Sequence, residues 1–323
     1  MRFGVTGEVS RDRLSQPGMG TWEGLGGCAV YLALSLGRLG AEVTFATVIG
    51  DDLDAAWLEP LDGAGVKVRS RQLPGSTARL DLAYDHKGDI ARLRFEAGIE
   101  SGMDTKHLPD DFWAADWIVV GTAPRRYQAA VIAHANELGR AVSLSTQREF
   151  ERGWESLAGL LPQLDVLFIN SGEVVGLRGD RLPRGLDALW AVNPNLTCAV
   201  TCGGRGALLL HDDRLYQVAA CPAQIINTTG AGDAFGATWL FTFTHSGDAA
   251  YALRAASAAA ALALRGPVHT TLPDWAQIEE KLQACGEHLT VECWPITSSG
   301  ARAALVAEDA YCHQDVDREV TRS

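Results

Sequence analysis

Four short apolar runs in the middle of the chain constrain its fold more than any other feature. DWIVVGT (116–122), AVSLST (141–146), DVLFIN (165–170) and TCAVTCG (197–203) are almost continuously apolar, where a strand with one wet face would alternate. Runs of this kind are strands buried on both faces. Between them lie stretches with helical spacing, at about 126–138, 155–163 and 184–192. The alternation predicts an α/β fold, a central, mostly parallel sheet flanked by helices on both faces.

The first hundred residues read differently. FGVTGEV (3–9) and VTFATVIG (43–50) are strand candidates around a helix at about 28–39, where Leu32, Leu36 and Leu39 share one face. The segment SRDRLSQPGMGTWE between the first strand and that helix is polar and loop-like. LDLAY (80–84) and IARLRF (90–95) flank the turn-forming DHKGD and predict a β-hairpin outside the βα alternation, the makings of a small lid. AASAAAALAL (255–264) reads as a closely packed helix. Beyond about residue 284 the periodicity weakens. HLTVECWPI (288–296) is one more strand candidate, and the end of the chain reads as a disordered polar tail, with 303–323 expected to be dispensable.

Composition removes several function classes. With 28 Lys and Arg against 40 Asp and Glu the net charge is −12, which disfavours nucleic acid and anionic membrane surfaces as partners. No apolar run approaches the roughly 18 residues of a membrane span, and the first residues lack the pattern of a signal peptide. The expectation is a cytoplasmic protein. Seven scattered cysteines show no paired two-residue spacing, and Cys198 and Cys202 sit in an apolar stretch as buried thiols. A metal held directly by protein side chains is not expected.

Two glycine-rich segments carry chemical information. Gly230-Ala231-Gly232-Asp233, after Asn227-Thr228-Thr229, precedes the helical pattern AFGATWLFTFTH. Glycines at a helix start let N–H groups converge on an anion, and the helix dipole adds a favourable field. A carboxylate beside such a hole can take a proton from an attacking hydroxyl. An ordinary helix start with an acidic residue is the competing reading, although a plain cap needs no pair of glycines. The other segment, Gly24-Leu25-Gly26-Gly27-Cys28-Ala29, fits the loose dinucleotide pattern Gly-x-Gly-x-x-Ala, but the strand it should follow ends far upstream. A nicotinamide-dependent oxidoreductase is the runner-up on that ground, and the full P-loop pattern occurs nowhere.

Together these segments resemble the ribokinase-like, or PfkB, family of carbohydrate kinases over roughly residues 3–283. NTTGAGDAF resembles one family signature and GLGGCAVYLALSLGRLGAEVTFATVIGDD (24–52) the other, while GEVSRD (7–12), NSGE (170–173) and VTCGGRGALL (200–209) fit further motifs in order. The resemblance implies a ribokinase-like kinase domain over 1–284 with β-lid elements near 10–22 and 66–100, followed by an extension over 285–323. It implies transfer of the γ-phosphoryl group of ATP to a hydroxyl of a small polyol acceptor, with a homodimer as an admissible assembly. Asp233 becomes the general base, and Gly230, Ala231 and Gly232 the anion hole. Asn170 and Glu173 act on Mg2+ through its waters. Thr201, Gly203, Gly206 and Thr229 lie along the nucleotide. Asp12, at the end of the first strand, binds the acceptor with Gly26, Gly27 and Tyr31.

Three positions depart from the family pattern. Asn227 stands where the signature usually has Asp, which removes a negative charge below the phosphates and weakens monovalent-cation or magnesium interactions there, with a monovalent cation still an admissible cofactor beside ATP and Mg2+. Tyr31 stands where many sugar-kinase relatives have Asn, and offers one hydroxyl and a flat apolar ring instead of an amide. Ser145 replaces a commonly acidic strand end. These changes leave the acceptor open among sugars, cyclitols and nucleosides. A kinase-fold protein without activity is a third alternative, opposed by the intact Gly-Ala-Gly-Asp.

Overall fold

The central apolar runs become β8 (Trp117–Val120), β9 (Ala141–Ser145), β10 (Val166–Asn170) and β11 (Thr197–Thr201), parallel neighbours in one sheet. The computed structural model describes residues 1–18, 20–85, 90–146, 153–178, 181–266 and 268–320. On one side of β8 the sheet continues in parallel through β1 (Arg2–Thr6), β4 (Glu42–Gly50) and β5 (Lys67–Leu73). Beyond β11 it turns antiparallel through β12 (Ala207–His211), β13 (Arg214–Val218) and β14 (Val291–Pro295). A separate sheet runs in the order β3-β2-β6-β7, from β2 (Ser10–Gln16), β3 (Gly20–Gly26), β6 (Ala78–Tyr84) and β7 (Ile90–Glu96). The hairpin predicted at 80–95 is therefore half of a four-stranded lid; its turn at 86–89 lies outside the described residues.

Helices cover both faces of the main sheet. One layer contains α1 (Cys28–Arg38), α5 (Ala231–Ser246), α6 (Ala249–Ala263) and α7 (Trp275–Cys285), and its core includes Trp239, Leu253 and Ile278. The other contains α2 (Arg125–Glu137), α3 (Ser171–Arg178), α4 (Leu182–Val192) and α8 (Ser299–Val320), with Val131, Val174 and Leu186 in its core. The alanine-rich stretch lies mainly in α6, where small side chains let it pack closely on α5. Gly247 in the left-handed region ends α5, and the Asp248 carboxylate accepts the Tyr251 N–H at the start of α6.

Four expectations are corrected. The loop-like reading of 10–23 gives way to strands in the region where the resemblance implied lid elements: most of it forms β2 and the start of β3. In β2 the inward positions are Ser10, Asp12 and Leu14, so two of three buried residues are polar and hide the alternation. Asp12 accordingly lies inside a lid strand and not at the end of the first strand, which stops at Thr6. Within 66–100, Lys67–Leu73 pairs with β4 at the edge of the main sheet, outside the lid.

The tail is the fourth correction. The end of the chain is a helix, Ser299–Val320, whose described buried positions, Ala301, Ala304, Leu305, Glu308 and Asp309, follow helical spacing. Two of the five are acidic, so the apolar pattern alone breaks off. Glu308 Oε1 accepts from Arg205 Nη2 (2.8 Å) and Gln217 Nε2 (2.9 Å), and Asp309 Oδ1 accepts the Leu182 N–H (2.7 Å). A disulfide between Cys221 and Cys285 ties the chain after β13 to the end of α7, a pairing the spacing did not reveal.

Candidate active site

The strands from β5 to β11 are parallel, so their C-terminal ends share one edge, where open α/β sheets bind ligands. The four residues expected to bind the acceptor come together there, Asp12 and Gly26 from the lid, Gly27 and Tyr31 from the turn and helix that follow it. The buried Asp12 carboxylate accepts from Ser10 Oγ (2.6 Å) and from the Tyr31 hydroxyl (2.9 Å). Burial pushes Asp12 up to about 6, against the pull of these two hydrogen bonds. Gly26 is needed because a Cβ there would overlap the Asp12 carboxylate. Gly27, at φ 107°, turns the chain from β3 into α1. Asp12, Gly26, Gly27 and Tyr31 thus form one cluster.

Asp233 sits in the first turn of α5, after Gly230 in the left-handed conformation (φ 76°). The first N–H groups of a helix have no intrahelical acceptor and converge at this end. Of the expected anion hole, the Ala231 N–H makes a long bond to the Thr228 carbonyl (3.4 Å), and a Cβ on Gly232 would meet open space. Burial raises Asp233 to about 7; the Cys28 thiol hydrogen bond opposes that shift and the nearby Glu173 carboxylate adds to it. A carboxylate with this pKa is a competent proton acceptor near neutral pH. Tyr31 feels the charges of both Asp12 and Asp233, which puts the Asp12–Tyr31 cluster within electrostatic reach of this carboxylate.

The end of β10 carries Asn170 and Glu173 in a reciprocal arrangement. Asn170 Oδ1 accepts the Glu173 N–H (2.8 Å), while Glu173 Oε2 accepts the Asn170 N–H (3.2 Å) and the Thr146 hydroxyl (2.8 Å). This is the geometry of a capping box, and it also fixes a buried carboxylate near Asp233. Asn170 lies opposite Thr201 in the register of β10 and β11. Past Thr201 the chain turns through Gly203 (φ 55°) and Gly206 (φ 105°), where any Cβ would strike the Val218 carbonyl.

Several residues of this site carried no sequence signal. Cys28 donates its thiol hydrogen to Asp233; burial, then the Asp233 charge, hold that thiol well above its ordinary pKa, so it stays protonated. Thr146 and Tyr84 also join through tertiary contacts. Tyr84 shares the parity of Leu80 and Leu82 in β6, the one clue that it faces inward.

The chain matches the pfkB family of carbohydrate kinases over residues 5–276. The chain belongs to this family. It is 26% identical over 254 residues to a cytidine kinase of Thermococcus kodakarensis, spanning 73% of this chain and 86% of that protein. It is 29% identical over 242 residues to an ATP-dependent ribose-1-phosphate kinase of Halopiger xanaduensis, spanning 73% and 79%. Its fold superimposes on Arabidopsis thaliana ribokinase, solved with ribose and ATP, at a TM-score of 0.76 and 20% identity, covering 87% of this chain and 98% of that one. This pfkB protein is therefore an ATP-dependent kinase, and the oxidoreductase alternative falls. Gly26 and Gly27 close a lid strand over Asp12 and do not form a dinucleotide turn. No helix among the described residues is long and apolar enough to cross a membrane.

The family implies Mg2+, and the donor set suits a metal carried on phosphates and waters. Among the described residues no three His, Cys, Asp or Glu side chains converge as a protein cage. A monovalent cation fits Asn227 poorly. Its Oδ1 already accepts two hydrogen bonds, and its Nδ2 is a buried donor without a partner.

Proposed function

We propose that this kinase transfers the γ-phosphoryl group of ATP to a hydroxyl of a small sugar or of the sugar moiety of a nucleoside, with Asp233 as the general base. One observation carries the reading: a half-buried carboxylate, raised toward neutral pKa, sits in the first turn of α5 among its helix-start N–H groups and within electrostatic reach of Tyr31. The acceptor hydroxyl binds at Asp12 and Tyr31 and loses its proton to an Asp233 oxygen as its oxygen bonds to phosphorus. The leaving ADP takes the electron pair of the broken bond. The N–H groups of Gly230 and Gly232 stabilise charge on the transferring phosphoryl. Thr201, Gly203, Gly206 and Thr229 hold the nucleotide. Asn170 and Glu173 orient waters of Mg2+, which supplies charge neutralisation on the phosphate oxygens when bound.

The test is a coupled ADP-release screen of sugars, sugar phosphates, cyclitols and nucleosides, with Asp233→Asn as control. Acceptor-dependent ADP release that the variant abolishes supports the reading. Release unchanged by the variant, or none from any acceptor, overturns it.

A further inference from the structure

The lid and the loop before the anion hole are joined by a closed ring of hydrogen bonds. The Tyr84 hydroxyl donates to Asn227 Oδ1 (2.9 Å), and since its one proton is used there, the Thr229 hydroxyl donates to it in turn (2.6 Å). The Thr229 N–H closes the ring on the same Asn227 Oδ1 (2.8 Å). Tyr84 and Asn227 are both buried. A shift of strand register between Ala83 and Tyr84 marks the place where β6 turns this ring toward the loop.

The opposite end of β6 is a fixed point. The Thr77 N–H donates to Asp52 Oδ1 (2.7 Å), and the Thr77 hydroxyl accepts the Gly50 N–H (2.9 Å). Arg11 and Arg79 of the lid also reach Asp52, each at 3.3 Å. From Ala78 to Tyr84 a strand spans about 20 Å at ~3.3 Å per residue. The lid is thus anchored at one end of β6 and fastened at the other. Asp12 on the lid's inner face and Tyr31 on α1 beneath it are both buried, so an acceptor reaches them only when the fastened end lets go.

We propose that Tyr84 is a positioning residue that latches the lid onto the anion-hole loop, so that closure over the acceptor and placement of Thr229 happen together. Asn227 serves this latch as a double acceptor. The kinetic consequences rest on the phosphotransfer reading above, but the latch itself is a property of the fold and is tested separately.

The experiment compares wild type, Tyr84→Phe, Asn227→Asp and the double variant in the full chain. Hydrogen–deuterium exchange on the nucleotide-free protein reads the latch without any catalysis. In Tyr84→Phe, amides in 79–84 and 228–230 should exchange about 5–10-fold faster, the effect of losing one or two modest hydrogen bonds, while α2 and α4 are unchanged. Asn227→Asp keeps the acceptor oxygen and should exchange like wild type. With an acceptor in hand, Tyr84→Phe should raise acceptor KM about 5–10-fold and ATP KM by a smaller factor of about 2–4 as Thr229 loosens, and increase ATP hydrolysis per transfer as water enters. A ring lost only as packing would lower Tm without this split. Exchange at wild-type rates in Tyr84→Phe overturns the latch whatever the activity. Faster exchange with no phosphotransfer to any acceptor keeps the latch and sinks the phosphotransfer reading.

Discussion

The two halves of the proposed site are made of different material. The half assigned to the nucleotide is largely backbone: Gly203 and Gly206 at positive φ, Gly230 in the left-handed region, and the open N–H groups at the start of α5. The half assigned to the acceptor is side chain: Asp12, Tyr31, Cys28 and Tyr84, buried and bonded across elements far apart in sequence. A backbone site needs particular φ values, and glycine supplies them at a fixed spacing. A side-chain site needs only that groups meet in space, and many residues meet that demand. The shared reaction is therefore written locally, while acceptor choice is written in tertiary contacts.

The sharpest way to break this comparison is at the residue where the halves meet. Asp233→Asn should lower kcat by at least about 100-fold, since a general base contributes roughly 10²–10⁴, with ATP affinity retained because the backbone donors remain. Its stability effect has a defined sign. Asp233 rises from 3.8 to about 7 in the fold, so between those values the folded chain holds a proton that the unfolded chain has released. The stability contribution of this group therefore falls as pH rises through that window, and the penalty is complete above about 7. Asp233→Asn should melt no lower than wild type at pH 8. A near-normal kcat, or a marked loss of stability there, removes Asp233 as the base. In the unmodified enzyme, kcat/KM should fall about 10-fold per unit below pH 7, the slope of a single essential base in the free enzyme.

The backbone half is probed by Gly206→Ala. At φ 105°, with the Val218 carbonyl in the way, alanine should cost about 1–3 kcal/mol and raise ATP KM at least about 10-fold, with acceptor KM little changed. If acceptor KM moves as much as ATP KM, the division into halves fails. Tyr31→Ala probes the other half and should raise acceptor KM about 10-fold, the worth of a packed aromatic with a hydrogen-bonding tip. An unchanged acceptor KM would make Tyr31 a core residue only.

The smallest effect on turnover is expected from the C-terminal helix. Deleting 303–323 removes Leu305 and takes Glu308 and Asp309 away from Arg205, Gln217 and the Leu182 N–H. Loss of partners for such groups costs about 1–3 kcal/mol each, so Tm should fall by several degrees. Because Arg205 lies between Gly203 and Gly206, ATP KM should rise a few-fold. A deletion that leaves Tm unchanged would return this segment to the dispensable tail that its composition implies.

Much of the scaffold was legible. The strands β8 to β11 are continuous apolar runs because both of their faces are buried, and burial on both faces needs no knowledge of neighbours. The start of α5 was legible because glycine is the residue that takes the conformation of Gly230 at low cost. Strand β2 was not, because the polar Ser10 and Asp12 occupy its inward positions and satisfy one another only in the fold. Helix α8 was not, because Glu308 and Asp309 fill core-facing positions that only Arg205, Gln217 and the Leu182 N–H make tolerable. By itself, the sequence determined what local rules can enforce: periodic burial, glycine turns and the order of the motifs. The tertiary structure alone decided the partners of buried polar groups, Asp12 with Tyr31, Cys28 with Asp233 and Tyr84 with Asn227. The desolvation cost of such groups is offset by residues 19 and 143 positions away for Asp12 and Tyr84 and farther still for Cys28, and no short window of sequence contains both sides of that balance.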